Sequence, residues 1–155
     1  MTPAINQLIT TKIKHSVLAY THDPTSASFG LEAVEKLNLS SKLVFKTLMV
    51  TLDGRELVVA IVPVDTTLNM KKLAKIAKSK KAEMASQQSA EKSSGYILGG
   101  ISPLGQKRKL KTFIDESALE FEKIYVSGGK RGLEIELSAL DLISLTKAVV
   151  CSLKK

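Results

Sequence analysis

The chain predicts a mixed α/β (α+β) fold, a single domain over residues 1–155 with a curved, barrel-like sheet surrounded by helices. Three observations carry this expectation. Apolar residues recur at helical spacing in several short segments that open on capping residues. Other segments read as extended strands. Turn signals such as Asp53-Gly54 and Gly128-Gly129 join strands directly, which favours a mixed or antiparallel sheet over strict strand-helix alternation.

Thr2-Pro3 reads as an N-cap followed by proline at the first helical position, and Ile5, Leu8 and Ile9 mark one face of a helix ending near Ile13. Ser16 to Tyr20 reads as a short strand. His22-Asp23-Pro24 then opens a polar loop, because the residue before proline avoids helix. Leu31, Val34 and Leu37 share one face of a short helix. Leu43 to Leu52 and Glu56 to Val64 form the two arms of a hairpin about Asp53-Gly54. Asn69 can cap a basic helix with Leu73, Ile76 and Ala77 on its apolar side, and a further helix is expected from about Ser86 to Lys92. Leu110 to Ile114, Lys123 to Ser127 and Leu133 to Leu137 read as strands. Ser138-Ala139-Leu140-Asp141 resembles a capping box that opens a final helix.

With 155 residues, 44% hydrophobic and 25% charged, the chain has ordinary globular composition and enough length for a real core. No apolar run approaches the ~20 residues that span a bilayer. The first residues lack a basic region followed by an apolar core, and the single cysteine, Cys151, precludes an internal disulfide. The expectation is a cytoplasmic protein with no membrane contact. The net charge of +8 favours a polyanionic partner.

The segment Gly95-Tyr96-Ile97-Leu98-Gly99-Gly100-Ile101-Ser102-Pro103-Leu104-Gly105-Gln106 packs four glycines and a proline around one serine, then runs into Lys107-Arg108-Lys109. Glycine allows close backbone approach to a ligand, and the basic triplet suggests phosphate. Ser127-Gly128-Gly129-Lys130-Arg131-Gly132 is a second candidate, either an anion-binding nest or a charged hairpin tip. Neither segment is a Walker loop or a dinucleotide fingerprint. Lys46 interrupts the apolar row Val44, Leu48, Val50 and Leu52. An ammonium there reaches a ligand phosphate, an acid or an opening to water.

Glu134 and Glu136 share one strand face, which reads either as a carboxylate pair or, more simply, as a solvated face. Tyr20 and Phe29 flank the polar loop, where they stack on a base or pack in the core. The basic run Lys71 to Lys81 reads most simply as a solvated helix face, with RNA contact as the alternative. Two histidines and one cysteine are too few for a Cys-His pair or a zinc site, so no metal and no cofactor are expected. An enzyme built this way works by positioning its substrate.

These features together resemble the YbaK/EbsC family, the free-standing relatives of the editing insertion domain of prolyl-tRNA synthetase. The resemblance rests on Met1-Thr2-Pro3-Ala4, His22-Asp23-Pro24, Phe45-Lys46-Thr47-Leu48, Gly95 to Lys107 and Ile124 to Gly132. It implies a barrel-like mixed sheet and deacylation of misacylated tRNA, notably Cys-tRNA(Pro), in which the substrate thiol attacks its own ester and leaves as a thiolactone. Lys46 matches the family's site lysine, placed to anchor the tRNA 3′ end. Tyr20 and Phe29 match pocket aromatics. Gly99, Gly100 and Ile101 match the loop that holds the aminoacyl end, with Ser102 beside them. Ser127 and Gly128 match the opposite wall. Glu134 stands where an acidic residue, often aspartate, is expected. The implied partners are misacylated tRNA and, transiently, prolyl-tRNA synthetase. The alternatives are a deacylase for another misacylated tRNA, such as Ala-tRNA(Pro), using water, or a non-catalytic tRNA-binding module.

Overall fold

The structure is a computed structural model that describes residues 1–26 and 28–155. Helix α1 (Pro3–Thr10) starts where Thr2 accepts from the Ile5 amide and proline follows the cap. Strand β1 (His15–Ala19) and helix α2 (Phe29–Lys36) follow. Strands β2 (Phe45–Leu52) and β3 (Glu56–Pro63) form the expected hairpin, paired from Phe45↔Pro63 to Leu52↔Glu56. Its turn places Asp53 at φ 52 and Gly54 at φ 66, the left-handed pair that matches strand twist. Helix α3 (Met70–Ile76) is capped by Asn69, and helix α4 (Gln87–Ser94) by Ser86.

Three elements go beyond the sequence expectation: strand β4 (Ala82–Met84), a 3₁₀ turn at Glu116–Glu120 and strand β8 (Val149–Cys151). The two strands have three residues each, too few for a period to register. Strands β5 (Thr112–Asp115), β6 (Lys123–Ser127) and β7 (Leu133–Ser138) and helix α5 (Ala139–Thr146) complete the chain. The Ser138 hydroxyl accepts from the Asp141 amide at 3.3 Å, the N-terminal bond that the motif implies.

The strands form two sheets. One has three antiparallel strands in the order β1-β7-β6, and the other has five mixed strands in the order β4-β2-β3-β5-β8. They meet at a parallel bridge between Val44 and Tyr125, where the Tyr125 amide donates to the Leu43 carbonyl at 2.9 Å. The wall they make is curved and open rather than a closed barrel.

Alternation along β2 and β3 gives the larger sheet two buried faces. Phe45, Met49, Val59 and Ile61 pack with Leu8 of α1, Ile135 and Leu137 of β7 and Leu142 of α5. Val50, Val58, Ala60 and Val62 pack with Leu73 of α3. Each large side chain fully buried here stabilises the fold by about 1.5–3 kcal/mol relative to exposure. The C-terminus is tied down by Asp115, whose carboxylate accepts from the Leu153 and Lys154 amides at 2.9 and 3.2 Å.

Candidate functional site

Where the two sheets meet, a cavity of about 320 Å³ opens between β2, the start of α2 and the two glycine-rich segments. Tyr20, Phe29, Lys46, Gly99, Ile101, Ser127 and Glu134 all border it. Seven of the ten site residues expected from sequence therefore converge here from distant parts of the chain.

Lys46 sits half-buried on β2 and donates from Nζ to the Thr66 carbonyl at 2.7 Å. Burial pushes its ammonium below the ordinary lysine range, and the nearby Asp65 opposes that shift. Beside it the Thr47 hydroxyl is buried without a partner. Thr47 was not singled out from sequence, because strand alternation assigns it to the opposite face from Lys46.

The two glycine segments close on each other. Gly99 has φ +91, and a Cβ there would stand 2.6 Å from Arg131 Nε and 2.9 Å from the Phe29 ring. At Gly100 a Cβ would lie 2.7 Å from the Lys130 Cα. The Arg131 guanidinium donates to the Leu98 carbonyl at 2.9 and 3.2 Å and covers the Phe29 ring at 4.2 Å. Lys130 borders the cavity as well.

Three expected site residues serve differently. Ser102 is fully buried, with its hydroxyl accepting from the Leu104 amide at 3.2 Å, and it does not border the cavity. The Gly100 amide is committed to the Ile97 carbonyl at 2.9 Å. Gly128 is buried behind the wall. Its amide donates to the Leu133 carbonyl at 2.8 Å and its carbonyl accepts from the Thr2 hydroxyl at 2.5 Å. These three hold the loops in place. Gly99 and Ile101 do border the cavity, and their amides have no acceptor among the described residues.

Glu134 overturns the simple reading of a solvated strand face. Glu136 is partly exposed and accepts from the Tyr125 hydroxyl, but Glu134 is only 6% exposed. The reason is topological: β7 is the central strand of its sheet, and its first residues floor the cavity. Glu134 Oε2 has no hydrogen-bond partner, and burial pushes the carboxyl up to about 8. The Tyr20 hydroxyl is pushed up in turn, first by burial and then by the Glu134 charge.

A buried carboxylate that the sequence reading missed fixes the approach to Phe29. Glu32 of α2 accepts from His22 Nδ1 at 2.6 Å and from the Asp23 amide at 2.7 Å, and it pairs with Lys36 at 3.4 Å. Burial works to raise its pKa, but these hydrogen bonds outweigh it and hold the carboxyl below the usual range. Among the described residues no group of three His, Cys, Asp or Glu side chains is placed to hold a metal ion. No helix among the described residues is long and apolar enough to cross a membrane.

Residues 24–145 match the model of the aminoacyl-tRNA editing domain family. The chain is also 38% identical over 133 residues to the "Putative Cys-tRNA(Pro)/Cys-tRNA(Cys) deacylase EbsC" of Enterococcus faecalis, covering 86% of this chain and 79% of that one. The chain belongs to the YbaK/EbsC family of aminoacyl-tRNA editing domains. This editing domain is further similar to the "Uncharacterized protein YwhH" of Bacillus subtilis, at 25% identity over 118 residues, covering 76% of this chain and 74% of that one. Among solved structures, its fold matches that of hypothetical protein APE2540 with a TM-score of 0.87 at 21% identity, over 99% of both chains. It also matches a "putative trans-editing enzyme for prolyl tRNA synthetase" with a TM-score of 0.82 at 20% identity, over 98% of this chain and 92% of that one.

Proposed function

We propose that this editing domain is a trans-acting deacylase that removes cysteine from Cys-tRNA(Pro) and related Cys-tRNA. The observation that carries the proposal is the cavity itself. Its lining includes one half-buried cation, two residues whose backbone amides are uncommitted and one unpartnered carboxyl, with no Ser-His or Cys-His pair. Such a site orients a reactive substrate and does not attack it.

In this reading Lys46 anchors a phosphate or ribose oxygen at the tRNA 3′ end. Phe29 and Tyr20 pack against the terminal nucleoside, and Ser127 closes the opposite wall. Glu134 receives the α-ammonium group of the aminoacyl ester. The arriving cation stabilises the ionised carboxylate and satisfies Oε2. The amides of Gly99 and Ile101 face the ester carbonyl, where charge develops. The substrate thiol sulfur then bonds to the carbonyl carbon, the carbon–oxygen bond to the ribose breaks, and the thiol proton passes to the departing ribose oxygen. The product is a cyclic thiolactone, so the step is formally a lyase reaction, and later ring opening by water completes hydrolysis. Selectivity follows from chemistry, since alanine and proline carry no thiol.

A second reading has water as the nucleophile, for example on Ala-tRNA(Pro). It is favoured by Glu134, whose carboxyl near 8 is mostly protonated at neutral pH but, once ionised, is a stronger base toward water than an ordinary carboxylate. The deciding experiment compares deacylation of Cys-tRNA(Pro), Ala-tRNA(Pro) and Ser-tRNA(Pro), with and without prolyl-tRNA synthetase. The thiol route requires cysteine release alone to be fast, while equal rates on all three exclude it. Salt-sensitive tRNA binding without cleavage of any of them means a binding module instead.

A further inference from the structure

The basic triplet that follows the first glycine segment has no part in the cavity described above. Lys107, Arg108 and Lys109 are exposed, and none of them borders that cavity. A second and larger cavity, about 560 Å³, lies on the other side of the same loop. Arg108, Lys109, Lys111 and Lys147 line it together with Gln7, Gly105, Gln106 and Thr146, over an apolar base of Pro103, Leu110 and Leu145. No acidic residue lines it, and among the described residues none of the four cations forms an ion pair.

The two cavities share a wall. Ile101 faces the first and Pro103 the second, and two residues of chain span at most about 7 Å. Just beyond Pro103 the loop is anchored to helix α1. Gly105 has φ +64, its amide donates to Gln7 Oε1 at 2.7 Å, and a Cβ there would stand 2.5 Å from Pro3. Helix α5 directs its C-terminal end here, which alone would repel an anion, but Lys147 at the C-cap offsets it.

Four cations converging on a polar-rimmed groove, without an acid to neutralise them, suit a run of phosphates rather than a single carboxylate. We infer that this second cavity binds backbone phosphates of the RNA whose acylated end enters the first, so that one loop registers both. The inference rests on the reading that the domain acts on tRNA.

The test titrates uncharged tRNA against the full chain at several salt concentrations. Lys109→Glu/Lys111→Glu should weaken binding about tenfold or more and make the salt dependence shallower by about two. Because both side chains are exposed, the fold should survive, and Arg108→Gln/Lys147→Gln provides a milder second variant with the same direction of effect. On α3, Lys75→Glu, which changes the net charge by the same two units as Arg108→Gln/Lys147→Gln, should change affinity little. Unchanged tRNA binding in both cavity variants overturns the inference. So does an equal loss in Lys75→Glu, which would reduce the effect to net charge. A loss confined to association with an acidic protein overturns it too.

A kinetic arm separates this inference from the proposed reaction. On an acylated 3′-terminal trinucleotide the cavity variants should match the wild-type rate, while on full-length acylated tRNA they should be slowed about tenfold, in line with the binding loss. Equal slowing on both substrates counts against a remote phosphate site. If neither substrate is cleaved, the deacylase reading fails, and the binding titration still decides the role of the second cavity.

Discussion

Arg131 covers the ring of Phe29 at 4.2 Å and donates to the carbonyl of Leu98, so one side chain ties helix α2 to both glycine segments at the mouth of the cavity. An exposed cation–aromatic contact contributes only about 0.5–1 kcal/mol. Its consequence lies in holding three segments in one arrangement. Arg131→Ala should therefore leave the unfolding midpoint within a few degrees of wild type. It should raise KM for acylated tRNA severalfold with a smaller effect on kcat. A fall in kcat alone, with KM unchanged, would show that the clamp does not act on substrate entry.

Gly99→Ala tests the same junction from the backbone side. The new Cβ meets Arg131 and Phe29 at under 3 Å, and φ +91 strains any L side chain. Activity should fall by more than tenfold as the clamp is displaced. Gly54→Ala is the matched control. It also has positive φ, but the hairpin tip leaves open space around the added methyl. It should cost about 1 kcal/mol of stability and leave deacylation intact. Equal activity in the two variants would show that the Gly99 contact is unimportant for the site.

Lys46→Ala should abolish most deacylation, since it removes the one cation that the strand directs into the cavity. The protein should remain folded or gain stability, because a half-buried ammonium is costly to desolvate. Lys46→Arg should restore binding only in part, since the planar guanidinium replaces a compact charge bonded to the Thr66 carbonyl. Wild-type turnover by Lys46→Ala would remove Lys46 from the mechanism.

Much of this site was legible in the sequence, and the exceptions share a physical cause. Lys46 stood out because it broke an apolar row, and the glycine segments because their composition is costly unless shape is needed. For Glu134 the bare pattern favoured a solvated face, because alternation assigns a face without saying what covers it, and only the family resemblance pointed to the site. The Arg131–Phe29 clamp and the bond from the Thr2 hydroxyl to the Gly128 carbonyl join residues distant in the chain, and no local period encodes such contacts. Ser102 looked chemical because it stands among glycines, whereas its hydroxyl is consumed in turning the loop. The short strands β4 and β8 exist only through pairing with β2 and β5.

Cys151→Ser should leave activity unchanged. Burial, with Asp115 and Glu116 nearby, pushes this thiol up to about 11, so almost none is thiolate at neutral pH. Cys151 also lies on β8, outside the cavity lining. Deacylation of Cys-tRNA(Pro) by Cys151→Ser, followed under single-turnover conditions, should match wild type. Loss of activity there would mean that a protein thiol takes part and would exclude the purely substrate-assisted route.

Glu134 gives a pH signature that no other proposed site residue shares. Its folded carboxyl titrates near 8, against an ordinary glutamate value of 4.5. The folded state therefore binds more protons than the unfolded state between those values, and stability falls as pH rises through that window. Above about 8 the loss is complete, and the shift bounds it at roughly 5 kcal/mol. Glu134→Gln keeps the shape and removes the titration. It should match wild-type stability near pH 4 and exceed it increasingly toward pH 8, as read from denaturant midpoints across the series. The same variant should lose deacylase activity, because a neutral amide cannot hold the α-ammonium group. A substrate analogue lacking that amine should bind wild type and variant equally. If Glu134→Gln kept full activity while gaining stability, the carboxyl would have to be removed from the substrate-binding site.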